Sequence, residues 1–232
     1  MSMITVVTGA AGILGSEVAR VLLERGHHVA ALDRPSPRLE AMARPGACLP
    51  IALDLTSASE WKSAVERIES SLGTPTGGVL CAGGWAGGAP IHESSDDPTW
   101  RRMLDMNLET AERSARALAG KMVEHRHGSI VMVGSRVVER PWEGSGAAAY
   151  VAAKSALVAY AKAIAAEVVG SGVRVNAVMP SVIDTPANRA SMPKGDPLKW
   201  VTPESVARVI AFLLSDDSRD ISGAAIPIYG RV

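Results

Sequence analysis

The stretch that decides the fold is MITVVTGAAGILG, residues 3–15. Its first part, residues 3–8, is a continuous apolar run that is typical of a strand buried on both faces. Glycines follow, and residues 16–25 then show the apolar spacing of a helix that Gly26 ends. A strand, a glycine-rich turn and a helix N-terminus in this order can hold a pyrophosphate, because glycine lets the backbone approach the phosphates and free helix N–H groups favour an anion.

The glycine turn is a weak signal when it is taken alone. Its spacing is GxxGxxG rather than the GxGxxG of the simple dinucleotide fingerprint, so a tight turn without a ligand is the alternative. If the turn binds a nucleotide, its contact residues are Gly9, Gly12, Ile13, Leu14 and Gly15.

The second predicted strand favours the nucleotide interpretation. Residues 29–32 form an apolar run that ends at Asp33. This acid follows the glycines at close to the spacing of about 20 residues expected for the group that binds the adenosine ribose hydroxyls. A carboxylate there repels the 2′-phosphate of NADP, whereas the neighbouring Arg34 would attract that phosphate. We predict that NAD is preferred over NADP.

Strand and helix patterns alternate along the rest of the chain. Further strands are predicted over residues 47–53, 77–82, 128–134, 173–179 and 223–229, and helices over residues 57–72, 98–124, 149–169 and 203–215. This order predicts one α/β domain over residues 1–232, with a doubly wound, mainly parallel sheet of about seven strands of the Rossmann type. Residues 136–149 are expected to be a loop, and residues 184–202 an irregular, mobile substrate lid.

Composition argues against several classes of function. Basic and acidic side chains balance at 24 each, so no overall charge attracts nucleic acid or a membrane surface. Cys48 and Cys81 lie in apolar runs and are expected to be free, buried thiols, and the histidines lack the spacing of metal ligands. With neither a signal peptide nor a membrane-spanning run in the sequence, we expect a cytoplasmic protein that binds no metal.

A second motif opens the long Ala-rich helix. Tyr150 and Lys154 are four residues apart, so their side chains share one helix face. A phenol has an unperturbed pKa of about 10. A nearby ammonium group lowers that pKa and makes the tyrosine a usable general acid or base. The same spacing also recurs by chance in exposed helices, so its interpretation depends on the rest of the chain.

Three further residues lie at positions where their residue type needs a structural or functional explanation. Asn107 lies inside the predicted helix 98–124, where an amide competes with backbone bonds, and a kink that holds a water would explain it. Ser135 follows a strand at the sheet edge where ligands bind, although such a serine is often only a cap. Trp85, within the glycine-rich residues 83–88, is either a lid over a ligand or an anchor for its loop.

Together and in order, these motifs resemble the short-chain dehydrogenase/reductase family over nearly the whole chain. The residues that carry the resemblance are Thr8-Gly9, Gly12, Gly15, Asp54-Leu55, Cys81-Ala82-Gly83-Gly84, Asn107, Ser135, Tyr150, Lys154 and Pro180 to Thr185. The chain departs from the family at Cys81, where Asn is usual, at Ser181, where Gly is usual, in its glycine spacing and in a longer gap before Tyr150. Residues 83–88 and 184–193 are also similar to dihydropteridine reductase, which lacks the family's Asn and Ser.

The resemblance implies an NAD(P)(H)-dependent oxidoreductase that moves a hydride between the nicotinamide and a carbonyl or alcohol substrate. It implies that Tyr150 is the general acid/base and that Ser135 hydrogen-bonds the substrate oxygen. It implies that Lys154 binds the nicotinamide ribose and that Asn107 fixes a water in a proton path. The further cofactor contacts that it implies are Asp54, Leu55, Ala82, Gly83, Gly84, Tyr150, Lys154, Pro180, Ile183 and Thr185.

The substrate itself is less defined by the sequence. Trp85, Arg136, Trp142 and Arg189 lie on loops that can reach the pocket, and an arginine there would pair with an anionic substrate unless it is simply solvated. The resemblance also implies a homo-oligomer, a tetramer or a dimer, in which helices 98–124 and 149–169 pair between subunits. Pterin reduction and a non-catalytic, nucleotide-sensing protein are the alternative functions.

Overall fold

The computed structural model describes residues 3–93 and 98–231. Its strands are β1 (Ile4–Thr8), β2 (His28–Asp33), β3 (Cys48–Ala52), β4 (Gly77–Leu80), β5 (Gly128–Val133), β6 (Val173–Pro180) and β7 (Ala225–Ile228). They form one seven-stranded sheet in the order β3-β2-β1-β4-β5-β6-β7, and every neighbouring pair is parallel. The predicted doubly wound sheet is confirmed.

Helices cover both faces of this sheet. They are α1 (Ile13–Glu24), α2 (Pro37–Glu40), α3 (Ala58–Ser71), α4 (Pro98–Leu104), α5 (Thr110–Glu124), α6 (Ala148–Val168), α7 (Pro186–Ser191) and α8 (Pro203–Leu214). Helices α1 and α8 pack on one face, and α3, α5 and α6 pack on the other. Consecutive side chains of a strand point to opposite faces, so Val6 enters one apolar core and Val7 the other. Burial on both faces explains why the strands are continuous apolar runs.

The sheet reverses its winding direction between β1 and β4. From β1 the chain adds β2 and then β3 on one side, whereas β4 and all later strands lie on the other side. The loops that leave β1 and β4 therefore separate and open a crevice at the carboxyl edge of the sheet. Beside it, the Ala82 N–H donates to the Thr8 hydroxyl at 3.3 Å, which ties the two strand ends together.

The predicted helix over residues 98–124 is interrupted. Its two parts, α4 and α5, are joined by a π-helical turn over Asp105–Glu109. Asn107 lies inside this turn and is fully buried. A π-helical turn inserts an extra residue into the helix and is common at functional sites. The helix is therefore irregular at Asn107, and the water that such an irregularity would hold stays a prediction.

Residues 184–202 are more regular than predicted. They contain α7 and a short 3-10 turn over Pro197–Lys199, and Ile183 pairs with Val201 in an isolated parallel bridge. Trp200 is buried. The prediction of an irregular segment is wrong here, because the caps of these short helices and the burial of Trp200 order the chain.

Two other boundaries differ from the prediction. Helix α1 begins at Ile13 rather than at residue 16, because Gly12 is its N-cap. Helix α2 was not predicted; it begins at Pro37, and the Ser36 hydroxyl caps it by accepting from the Leu39 N–H. In the described part of the chain, no helix is both long enough and apolar enough to cross a membrane.

Trp61 provides a test of the core. Its side chain is 2% exposed, and its indole N–H donates to the Leu55 carbonyl at 3.0 Å. Trp61→Ala should lower the free energy of unfolding by about 3–5 kcal/mol, because it leaves a cavity and an unpaired carbonyl. Trp100→Ala, at a position 52% exposed, is the matched control and should change it by less than about 0.5 kcal/mol. Urea denaturation followed by circular dichroism measures both, and equal losses would contradict the packing described.

Candidate active site

A cleft of about 1150 Å³ opens at the carboxyl ends of β1, β2 and β4. Most of the residues predicted to bind the cofactor line it: Gly9, Gly12, Ile13, Leu14, Gly15, Asp33, Arg34, Asp54, Leu55, Ala82 and Gly83. Its volume exceeds the roughly 300–1,000 Å³ of an ordinary small-molecule pocket. An extended ligand of dinucleotide size therefore fits this cleft.

The glycine turn forms the floor of the cleft through close backbone packing. A Cβ on Gly15 would collide with the Gly9 carbonyl, and Gly9 itself has a positive φ of +65°. A Cβ on Gly9 would lie 2.8 Å from the Ala82 nitrogen, so Gly9 also allows β1 and β4 to approach each other. No side chain caps α1 at Gly12. The N–H groups of the first helical turn are thus left for an anionic ligand, which is what a pyrophosphate site needs.

Asp33 joins the glycine turn to the end of β2. One carboxylate oxygen accepts from the Ala11 N–H at 2.9 Å, and the other accepts from the Arg34 N–H at 2.8 Å. These bonds fix the negative charge at the wall of the cleft. Arg34 and Arg38 line the same wall, so carboxylate and guanidinium groups lie at one end of the cleft.

Three of the predicted catalytic side chains come together at the start of α6. The Lys154 ammonium group is buried and donates to the Val133 carbonyl at 2.8 Å. It lies 6.0 Å from the centre of the Tyr150 ring, one helical turn away. Ser135, two residues beyond Val133, is close enough to Tyr150 to lower the pKa of the phenol. A phenol, a hydroxyl and an ammonium group therefore meet at the carboxyl end of β5.

The pKa values of this group differ from the expectation. Burial raises the pKa of Tyr150, and the hydrogen bond from Ser135 only partly offsets the rise. Burial also lowers the pKa of Lys154 to about 8, against a smaller opposing effect of Cys81. The expected lowering of the Tyr150 pKa by Lys154 is wrong for the chain by itself, because removal from water dominates and the ammonium group is held by the Val133 carbonyl.

Asn107 fastens the loop after β4 to the π-helical turn. Its side-chain oxygen accepts from the Gly84 N–H at 3.1 Å, and its NH₂ group donates to the Gly84 carbonyl at 3.0 Å and to the Met103 carbonyl at 3.1 Å. A Cβ on Gly83 would lie 2.7 Å from the Asn107 oxygen and 3.3 Å from the Lys154 nitrogen. Gly83 thus lies between the two polar groups at the inner end of the cleft.

The residues predicted for the nicotinamide side lie apart from the large cleft. Pro180 ends β6, and Ile183 is held by its bridge to Val201. The Thr185 hydroxyl caps α7 by accepting from the Asn188 N–H at 3.1 Å. None of these three residues lines the cleft, and neither does Gly84. Their contact with a cofactor stays a prediction.

The four predicted substrate residues divide into two pairs. Arg136 forms an ion pair with Glu143 at 2.8 Å. The Arg189 guanidinium group donates to both carboxylate oxygens of Asp184, at 2.6 and 2.8 Å. Trp85 and Trp142, in contrast, are 63% and 71% exposed. A side chain as exposed as Trp85 does not anchor its loop, so that interpretation of Trp85 is excluded.

Several residues that line the cleft were missed by sequence reasoning. They are Ala11, Pro35, Ser36, Arg38, Thr56, Cys81, Pro98, Arg101, Arg102, Asp105, Met106 and Thr110. Ser36 and Arg38 belong to the missed helix α2, whose Ser-Pro start was a readable signal. Cys48 and Cys81 are free thiols, as predicted, and burial raises the pKa of Cys81 to about 12. The Cys81 residue as a whole is half-buried, but its thiol group is removed from water.

Comparison with known proteins gives consistent relatives over nearly the whole chain. The family model described as enoyl-(acyl carrier protein) reductase matches residues 9–230. The 2-(S)-hydroxypropyl-CoM dehydrogenase 3 of Xanthobacter autotrophicus is 32% identical and aligns over 97% of this chain and 94% of its own.

Solved structures agree with this result. An oxidoreductase of the short-chain dehydrogenase/reductase family from Burkholderia thailandensis is 34% identical with a TM-score of 0.86, covering 99% of this chain and 92% of that one. A 3-oxoacyl-(acyl-carrier protein) reductase from Brucella melitensis, solved with bound NAD, is 28% identical with a TM-score of 0.87, covering 99% and 90%.

The buried ammonium group of Lys154 generates a pH-dependent prediction. Its pKa is about 8 in the folded chain against 10.5 in the unfolded chain. Between these values the unfolded chain holds the extra proton, so stability rises with pH. From pH 8 to 10 the free energy of unfolding should therefore rise relative to that of Lys154→Met, by up to about 1.4 kcal/mol per pH unit. Urea denaturation of both cofactor-free proteins measures the difference, and parallel pH profiles would contradict the burial of the charged group.

Proposed function

The chain belongs to the short-chain dehydrogenase/reductase family and is an oxidoreductase that uses a nicotinamide cofactor, and from this premise we propose how its residues divide the reaction. Tyr150 acts as general acid/base in hydride transfer between the cofactor and a carbonyl or alcohol substrate. The observation that carries the proposal is the convergence of Tyr150 and the buried Lys154, one helical turn apart, with Ser135 at the end of β5, beside Gly83 at the inner end of the cleft. A protein that only senses nucleotides has no need of a positioned acid.

The residues of the chain handle the proton of this reaction. When bound, the nicotinamide supplies the hydride or accepts it. In reduction, Tyr150 gives its proton to the substrate oxygen, and Ser135 donates a hydrogen bond to the same oxygen and fixes it. Burial keeps Tyr150 in the neutral form that can donate a proton. In oxidation, the ionised Tyr150 oxygen takes the proton of the alcohol.

Lys154 supports the tyrosine after the proton has left. Its pKa of about 8 leaves most of the group protonated at neutral pH. A positive charge 6.0 Å from the Tyr150 ring stabilises the phenolate that forms during reduction. We assign to Lys154 the binding of the nicotinamide ribose as well. Asn107 would fix a water between Lys154 and solvent, a role supported by its position on the other side of Gly83.

For the cofactor, we propose NAD rather than NADP. The support is the Asp33 carboxylate, which two backbone N–H groups hold at the wall of the cleft. A fixed negative charge there favours ribose hydroxyls and repels a 2′-phosphate. The relative from Brucella melitensis was solved with NAD. Gly84, Pro180, Ile183 and Thr185 would then contact the nicotinamide end, with residues 184–202 as a lid over the substrate.

We also propose a homo-oligomer, a tetramer or a dimer, that pairs through α5 and α6. The outer face of α6 carries exposed small residues at Ala159, Ala163 and Ala166. Such a face lets a second helix approach closely. Pterin reduction receives no support from the relatives named above, whose names describe other substrates.

Tyr150→Phe tests the acid/base assignment, because it removes only the hydroxyl group. The value of kcat should fall by about 10²–10⁴-fold, the usual contribution of a general acid, whereas NADH binding should persist. Tyr160→Phe, on the same helix and outside the site, is the matched control. Steady-state kinetics and quenching of tryptophan fluorescence by NADH measure the two quantities. Unchanged turnover in Tyr150→Phe would reject the proposed mechanism.

Asp33→Asn tests the cofactor preference. The parent chain should have the higher kcat/KM with NAD, and the variant should shift the NADP/NAD ratio by about tenfold or more towards NADP, since it removes the repelling charge. Arg34→Ala is the companion variant. A parent that prefers NADP and loses that preference in Arg34→Ala would show that the guanidinium group, and not the carboxylate, sets the cofactor.

A further inference from the structure

The two exposed tryptophans lie on segments that are fixed around Tyr150. Trp85 follows Gly84, whose backbone is bound by Asn107 on both sides. The next residue, Ala86, packs against the small apolar cluster of Met103, Ala149 and Ala153 that Tyr150 also joins. The backbone of Trp85 is therefore fixed near the segment that carries Tyr150, while its indole is largely exposed.

The same loop is fastened again just beyond Trp85. The Gly88 N–H donates to the Gly146 carbonyl at 2.7 Å. A Cβ on Gly87 would lie 2.6 Å from the Cβ of Ala147, so the loop packs directly against the residues that precede α6. Two attachments on either side of Trp85 make its position a property of the fold rather than of a free loop.

Trp142 lies on the segment that precedes α6 in the chain. It belongs to the 3-10 turn Pro141–Gly144, and a Cβ on Gly144 would collide with the Val151 side chain. Val151 is next to Tyr150 on the first turn of α6. Trp85 and Trp142 thus lie on two segments that both pack against this turn, and both expose more than half of their surface.

The arginines of the neighbouring segments already bind carboxylates, although two of them share one. Arg136 and Arg140 both pair with Glu143, at 2.8 and 3.2 Å. Arg189 binds both oxygens of Asp184, and this pairing lowers the pKa of Asp184. At Arg136 and Arg189, an anionic substrate group would have to displace a carboxylate to gain the guanidinium group as a partner.

We propose that the substrate is an uncharged carbonyl or alcohol compound with an aromatic or similarly flat apolar body, and that Trp85 and Trp142 bind that body. The inference rests on the proposed function, because Tyr150 defines where the reacting oxygen lies. Two open indole faces bind a flat apolar group through area burial and ring stacking. The neighbouring arginines, being paired, offer an anion little.

The test compares a neutral and an anionic aryl ketone with a third ketone that has no ring. These are methyl 4-acetylbenzoate, which is neutral, and 4-acetylbenzoate, with 2-butanone as a small substrate without a ring. NADH oxidation by the full chain should give a kcat/KM for the neutral ester at least about tenfold above that for the anion. Trp85→Ala and Trp142→Ala should each raise KM for the ester about tenfold and leave KM for 2-butanone unchanged. Trp100→Ala, the exposed control, should change neither.

Other results would overturn the inference. Lys194 and Lys199 are exposed on the predicted lid and have no ion-pair partner within the described residues. A preference for the anion that is lost in the Lys194→Gln/Lys199→Gln double variant would show that these cations select the substrate. A change of mass by light scattering in Trp85→Ala or Trp142→Ala, without a change in KM, would show that the indoles bind a second copy of the chain.

A binding measurement separates this inference from the proposed function. Saturation-transfer NMR with NADH present reports contact of the ester's ring with the protein whether or not the ketone is reduced. Ring contact that is lost in both tryptophan variants supports the inference, whether or not the ketone is reduced. If turnover is absent, only the proposed function fails. Turnover of 2-butanone without binding or reduction of the ester would support the proposed function and overturn the inference.

Discussion

One buried hydrogen bond holds the candidate active site together: the Lys154 ammonium group donates to the Val133 carbonyl. It joins the first turns of α6 to Val133, the last residue of β5. Ser135 lies two residues after Val133, and Tyr150 lies one turn before Lys154 on α6. Placing a charged amine away from water is costly, and the lowered pKa of Lys154 expresses that cost. The fold tolerates the charge because the Val133 carbonyl accepts a hydrogen bond from the ammonium group. Gly83 has no side chain that would crowd this group. If this position only had to be filled, an apolar residue would be more stable there than a lysine.

Much of the fold was predictable because two-sided burial leaves a strong mark on a sequence. Runs such as residues 130–133 are apolar throughout, so the type and order of the strands could be predicted to within a few residues. The missed elements begin with a cap followed by proline, at Ser36-Pro37, Thr185-Pro186 and Asp196-Pro197. The same signature begins α8 at Thr202-Pro203. Short helices have too few residues for an apolar period, so their caps are the only local signal.

The site was predictable in part, and the reason differs between its two halves. The adenosine half depends on backbone geometry, which glycines mark directly: a Cβ at Gly9 or Gly15 would meet backbone atoms. The catalytic half depends on tertiary burial. Spacing placed Tyr150 and Lys154 on one face, but only the packed structure shows that burial, rather than the neighbouring charge, controls the pKa of the phenol. The ion pairs of Arg136 and Arg189 were likewise invisible, because side-chain pairing across loops leaves no periodic pattern.

This division also explains where the chain is free to differ from its relatives. The glycine turn and the Lys154 link connect several strands, so a change there disturbs the sheet itself. Other residues, such as Asn107 and Gly144, fix the backbone of the segments that carry Trp85, Trp142 and the paired arginines. Their side chains can change without moving the acid. In the proposed function, such a fold keeps one proton-handling centre while the surface around it selects the substrate. On that surface, this chain exposes two indoles near guanidinium groups that bind carboxylates.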